Sequence, residues 1–451
     1  MPRFPGLLVI AVIASSLYAD GGGGGSLPDP GMPSPPPTLL WAAPVPGVLR
    51  SLAADEAGNL YAAGESWTGG DTEALLAKYD PTGRLLWSRQ AEGPSRYAAV
   101  AVTGARAGYE SGEIYAAGSL EGGAASFGNS VRIEGRAGGI DLLVVEYDAE
   151  GRAQWAQSTD RLPNSLTLLN ALALDGKGRA FGAGTLSFDD EGEPSFHLSL
   201  PSPRLRIEPS PGSKGGLVLS LGARGEVGWV TVAEGGSARA LFYSLVLDEE
   251  GGIYVCGSVG GGELRFGSGF RIEVPGTGGA ILARLDARGR ALWARILPGK
   301  GSVFTSLATD GKEIYLGALL AGRQGYDLGS GVVLEGLPGS RSQVLLKYDG
   351  SGRTLWAGYL PSEAPDPLSL AADKSGVYVV DGGVIRAFDR EGRRRWSFGH
   401  PGGGRFGLIL TDGRGSLFVT AQGEGLLPLG PEGGAQLPAG VDYVGKYRLG
   451  E

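Results

Sequence analysis

The chain has 451 residues, of which 82 are glycine and 28 proline, with 42% hydrophobic residues and a formal net charge of −8. Its length predicts several domains or one repeat architecture rather than a single compact unit. The acidic balance excludes the basic stripe that a nucleic-acid binder needs to displace phosphate counterions. The apolar content excludes a wholly disordered chain, because it can offset the entropy of ordering.

Residues 1 to about 19 read as a secretory signal, with Arg3 as the positive end and an apolar run from Leu7 to Leu17. That run is short for a membrane span. Residues 20–37, DGGGGGSLPDPGMPSPPP, read as a Gly/Pro-rich tether: the glycine run is flexible, the proline run stiff and extended. The layout resembles that of bacterial lipoproteins, where a lipidated cysteine precedes such a tether. Asp20 stands at that place here, which excludes lipid attachment there. The expected location is secreted or periplasmic, with membrane contact only if the N-terminal segment stays uncleaved.

From residue 38 to 451 two segment types alternate. The first has the form of Leu52 to Gly64 and recurs around Tyr115, Phe181, Tyr254, Tyr315, Tyr378 and Phe418. The second has the form of Leu75 to Trp87 and recurs at 144–155, 218–229, 281–293, 344–356 and 384–396. Each is two short apolar strands joined by Asp-x-x-Gly, as at Asp55, Asp80, Asp148, Asp175, Asp248, Asp286, Asp349 and Asp373. The Asp side chain bonds the backbone ahead of it, and the Gly takes the left-handed conformation that closes a hairpin. One carboxylate per turn falls short of the six to eight oxygens that calcium takes.

Two hairpins make the four-stranded blade of a propeller. The first segment occurs seven times and the second six, because its halves lie at opposite ends of the chain. Val444 to Tyr447 matches Leu76 to Tyr79, and Thr38 to Trp41 matches Arg84 to Trp87. The predicted fold is all-β: a seven-bladed β-propeller in which the N-terminal strand completes the last blade. Trp41, Trp87, Trp155, Trp229, Trp293, Trp356 and Trp396 fall one per blade and are expected to be buried between blades.

Segments such as Ala77-Lys78-Tyr79-Asp80-x-x-Gly83-x-Leu-Leu86-Trp87 resemble the bacterial SBBP-type β-propeller repeat family. Their Gly-x-x-x-Trp ending is also similar to the repeats of quinoprotein-type (PQQ-type) propellers, including an outer-membrane assembly scaffold. The resemblance covers about residues 38–450 and implies the fold. Leu221-Gly222 departs from it where Tyr-Asp is expected, blade 6 is short, and Leu427 to Gly430 lies in a degenerate linker.

Chemistry-bearing motifs are few. Cys256 stands where related segments carry alanine, which fits a small buried strand residue. His197 and His400 fall on different blades and supply no His-rich metal site, and no Cys-x-x-Cys spacing occurs. The basic run Arg393-Arg394-Arg395 sits at a turn. No cofactor is predicted. Paired carboxylates for acid–base work would require a spatial pairing that spacing does not reveal.

All Asp-x-x-Gly turns fall on one face, and the longer connections on the other. Four of those connections carry strand-like inserts, at 131–134, 205–208, 270–273 and 332–335. The loop face is therefore the expected binding face. Its candidate residues are Trp67, Arg96, Asp160, Arg161, Asp366 and His400. The leading functional expectation is an exported, non-catalytic binding or scaffold module for a protein or glycan partner. An outer-membrane assembly scaffold and a quinoprotein or carbohydrate-active enzyme stay open as alternatives.

Overall fold

The computed structural model describes residues 37–68, 70–103, 112–134, 139–160, 165–188, 196–198, 206–207, 214–235, 238–267, 269–322, 325–335, 341–360, 367–400, 403–422 and 442–450. The signal and tether readings, and the linker around Leu427, lie outside the described residues. Regular structure among the described residues is β-strand throughout, arranged as a β-propeller.

The repeating unit is clearest in Val48–Ala54, Leu60–Thr68, Asp71–Tyr79 and Leu85–Gln90, an antiparallel meander in chain order. Its second strand is buried from Leu60 to Ser66 because sheets lie against both faces. A strand buried on both sides cannot alternate apolar with polar residues, hence the run Leu60-Tyr61-Ala62-Ala63. Gly64 has a different cause. The facing inner strand is irregular between Leu49 and Ser51, and a Cβ on Gly64 would collide with the Val48 carbonyl oxygen. Gly118, Gly184 and Gly257 face the same irregularity in later units.

The sequence predicts seven separate four-stranded sheets, and the structure differs. Five stand alone: the unit above; Ala240–Leu247 to Ala291–Pro298; Val303–Thr309 to Thr354–Tyr359; Ser369–Asp373 to Arg394–Gly399; and Arg405–Thr411, Ser416–Gln422, Asp442–Arg448 with Thr38–Pro44. Of the remaining strands, twelve form one sheet, and Ala124–Ser126 with Arg132–Glu134 and Tyr326–Asp327 with Val333–Leu334 form two small two-stranded sheets. The twelve-stranded sheet contains two antiparallel runs of four, Ser95–Val102 to Ala153–Asp160 and Ser165–Leu174 to Val227–Glu234. A single parallel pairing, Ile140 with Leu166, fuses them.

Inserted strands add to the fusion. Phe196–Leu198 pairs with Ala153–Asp160 of the preceding unit, and Gly262–Phe266 pairs with Val227–Glu234 of the preceding unit. The inserts are thus laid in part along the flanks of neighbouring sheets and do not only crown the loop face.

The innermost strands adjoin in chain order, and the last, Arg405–Thr411, lies against the first, Val48–Ala54. Hydrogen bonds link them around the axis. Ser51, Ser244 and Ser369 each accept a backbone N–H from the next inner strand, from Val100, Leu307 and Ile409, all at 3.1 Å. Closure at the split unit is direct: Thr38 faces Arg448 and Pro44 faces Tyr443.

Aromatic packing binds neighbouring units on the outside. Each unit's tryptophan meets the Tyr or Phe of its own second strand, with ring centroids 5.8–6.5 Å apart: Tyr61–Trp87, Tyr115–Trp155, Phe181–Trp229, Tyr254–Trp293, Tyr315–Trp356, Tyr378–Trp396 and Phe418–Trp41. Most of these indoles then reach the Asp-x-x-Gly turn of the next unit. Trp41 donates to Pro81 O at 2.9 Å, Trp229 to Ala287 O at 3.0 Å, Trp293 to Gly350 O at 3.2 Å and Trp356 to Arg390 O at 2.9 Å. The expected full burial holds for Trp396, at 3% exposed; the other repeat tryptophans are half-buried, since each lies at the outer rim.

The turn glycine is specified twice. Gly352 has φ +79°, and a Cβ there would crowd the Trp293 ring at 3.1 Å. Gly352→Ala is expected to cost at least about 1–2 kcal/mol from the left-handed backbone alone, and Trp293→Ala about 3 kcal/mol, the low end for a large aromatic. Urea titration of each variant measures both. Deleting residues 38–45 reopens the ring, and differential scanning calorimetry should show a sharply lower Tm.

Candidate functional site

The turn face consumes its own charges. At Asp80 one carboxylate oxygen accepts the Thr82 N–H at 2.9 Å and the Arg84 N–H at 3.1 Å, and the other accepts Arg84 Nε at 3.2 Å. The Thr82 hydroxyl and these backbone donors hold the Asp80 carboxyl down at about 2. Arg152, Arg179, Arg290, Arg353 and Arg393 repeat the pairing four residues after their aspartates. Such exposed ion pairs contribute little to stability; the backbone hydrogen bonds set the turn.

Gly222, the departure from the repeat, keeps the same turn by a substitution in space. The Glu226 carboxylate folds back into the volume an aspartate side chain would take and accepts the Arg224 N–H at 3.0 Å.

One position breaks the electrostatic pattern. In four units a cation from the third strand lies over the second-strand aromatic ring: Lys78 over Tyr61, Arg284 over Tyr254, Lys347 over Tyr315 and Lys446 over Phe418, at 5.0–5.3 Å. The equivalent residue beside Tyr115 is Glu146, 7% exposed. Burial first, and then the neighbouring Glu113, push its carboxyl up to about 7.

The turn face also holds an open cleft of about 610 Å³, passing Asp310, Asp373, Tyr378, Arg395, Arg414 and Leu449. It lies where the third and fourth strands of the split unit come from opposite ends of the chain, so no Asp-x-x-Gly turn fills the space.

On the loop face, Trp67 stands near the tip of its hairpin opposite Thr72 and is 57% exposed. Two residues back along the same strand, Glu65 is buried between cations. Arg50 Nη2 lies 2.5 Å from its Oε1 and Arg96 Nε 3.8 Å from its Oε2, while Arg96 Nη2 reaches Glu121 Oε1 at 2.5 Å. Arg96 therefore works between two units as a structural cation.

His400 is 8% exposed, buried rather than displayed on a loop. Its Nδ1 accepts the Gly404 N–H at 3.0 Å, so Nε2 carries the proton and faces the Tyr443 hydroxyl at 2.9 Å. Burial holds this imidazole below its usual value. Asp160 ends an outer strand with its backbone in register with His197. Arg161 and Asp366 lie outside the described residues.

The structure thus joins Arg96 to Glu65, Glu121 and Arg50, and His400 to Tyr443, and brings no two of the predicted site residues together among those described. Glu65, Glu121 and the buried pair Arg386–Asp381, at 2.5 Å, were missed by sequence reasoning. Their one signal is a charge inside an otherwise apolar strand. Cys256 is buried, and burial pushes its thiol far up, as a strand-core residue requires. Among the described residues no group of three or more His, Cys, Asp or Glu is placed to hold a metal ion, and no helix is long and apolar enough to cross a membrane.

No family model matches the chain, and no curated protein matches it. Solved structures similar to it include the WD40 repeats of RRP9, at 11% identity and TM-score 0.49, covering 91% of this chain and 99% of that one. The Neurospora crassa Pan2 WD40 domain is similar at 11% identity and TM-score 0.45, over 92% and 96%. Chaetomium thermophilum Raptor is similar at 10% identity and TM-score 0.47, over 92% of this chain but 29% of that one, so the chain spans under a third of Raptor's length. Likeness at this level carries no argument about partners or activity.

The Glu146 position gives a signed pH dependence. The fold keeps this carboxyl protonated to about 7, whereas its ordinary value is 4.5. Its contribution to stability is therefore fully present below about pH 4.5 and is lost as pH rises through about 7. Glu146→Gln should flatten that loss, and Glu146→Lys, which restores the cation over Tyr115, should raise stability at pH 8. Urea midpoints taken from pH 4 to 8 measure both.

Proposed function

We propose that the chain is an exported seven-bladed β-propeller of the SBBP-type repeat class, acting without catalysis as a binding or scaffold module for a protein or glycan. The blade count rests on the seven aromatic pairs and on the two four-stranded runs within the large sheet, each taken as one blade. Export rests on the apolar N-terminal run and the glycine–proline tether that follows it.

One observation supports the loop face as the binding face. Trp67 is a large aromatic left over half exposed beside charges that are otherwise paired. Aromatic side chains in that state are common anchors of recognition. The competing reading places a small ligand in the turn-face cleft, and the cleft itself is the observation that favours it.

The test uses the full chain as bait in an envelope or culture-fluid pull-down, followed by two sets of surface variants. Trp67→Ala should weaken capture of the retained partner at least tenfold, while Lys374→Ala and Arg395→Ala leave it unchanged. The reverse pattern assigns binding to the turn-face cleft and overturns the loop-face reading.

A further inference from the structure

In an antiparallel outer strand, alternate N–H groups point into the sheet and out from its edge. Val45, Ala91 and Leu360, each four residues past its unit's tryptophan, donate inward to Asp442, Ala74 and Gln343 at 2.9–3.2 Å. The fifth residue past the tryptophan accordingly turns its N–H outward. In three units that residue is acidic, and an inserted hairpin of the following unit pairs with it. Glu92 exchanges both backbone bonds with Ser126 at 2.9 Å, Asp160 pairs with His197, and Glu234 pairs with Arg265.

In the other four the fifth residue in the sequence is proline: Pro46 and Pro298, with Pro361 and Pro401 outside the described residues. Proline has no N–H to offer an incoming strand. The correlation extends to the inserts. The hairpin Tyr326–Asp327 and Val333–Leu334 follows the unit that ends in Pro298, and it forms a separate two-stranded sheet with no pairing to Ala291–Pro298. Three inserts meet an N–H and bond it; the fourth meets a proline and does not.

We propose that the five outer edges described at this position are sealed there, by a clamp from the next unit or by proline, and that the seal excludes strand addition by a second copy of this chain. Exposed edges are the usual templates for such association. Partners of this protein then engage side chains on its faces rather than its sheet edges.

Two substitutions in the full-length chain separate the devices. Glu234→Pro removes the N–H, whereas Glu234→Ala keeps it. Amide exchange at Arg265 and Gly267 should quicken at least tenfold in the proline variant and stay within twofold of the native rate in the alanine variant. Conversely, the double variant Pro46→Ala, Pro298→Ala should form concentration-dependent larger species in size-exclusion chromatography with light scattering, beyond any formed by the native chain. Equal exchange in the two Glu234 variants overturns the clamp. Unchanged association of the double variant overturns the proline seal, and that measurement stands whether or not Glu234→Pro folds.

Discussion

Much of this ring depends on an indole lying against a glycine of the next unit. Sheets standing side by side around an axis need a contact that repeats and tolerates twist. A tryptophan edge and a turn without side chains supply it. The turn must be left-handed to close its hairpin, and only glycine gives that conformation while leaving room for the ring. The aspartate that orders the turn thus acts at a distance, by presenting a flat backbone surface to the neighbouring tryptophan. Because Trp41 belongs to the split unit and reaches the turn at Pro81, the same contact that joins successive units also closes the circle.

The architecture was legible because the repeat is written in residues with backbone reasons: Asp and Gly at turns, Trp at the rim, a half-segment at each end. The fusion of two sheets was not, since the Ile140–Leu166 pairing has no sequence signature. Gly222 read as a defect in the repeat, and it is one only along the chain; Glu226 restores the carboxylate in space. His400 and Arg96 read as displayed loop residues because polar side chains after a strand usually are. The burial of His400 and the pairing of Arg96 come from partners far away in sequence, Tyr443 and Glu65, which no local pattern announces. Trp67, the aromatic outside the repeat, was the candidate whose exposure local reasoning could reach.

The two faces of the ring differ in how much of their chemistry is already committed. On the turn face, the aspartates of the repeated turns take backbone amides and an arginine of the same turn, and Arg390 adds a contact across units to Asp310 and Glu313. Glu146 is the exception that exposes the rule: with an acid where four other units place a cation over an aromatic ring, burial and the neighbouring Glu113 outweigh the one hydrogen bond that favours its charge, from Trp155. The loop face carries its charges in contacts between units, such as Glu65 with Arg96, so a partner bound there would touch the joints between sheets rather than one sheet alone.

The split unit also sets how the molecule bears load. Thr38 and Arg448 face each other at the same end of one antiparallel pair, with Pro44 and Tyr443 at the far end. A force applied between Thr38 and Arg448 does not shear the whole ladder at once. It parts the backbone bonds one after another from Thr38 inward, a zipper rather than a lap joint, and frees Trp41 from the first unit as it goes. The ring's most sequence-distant closure is therefore a seam that opens one bond at a time.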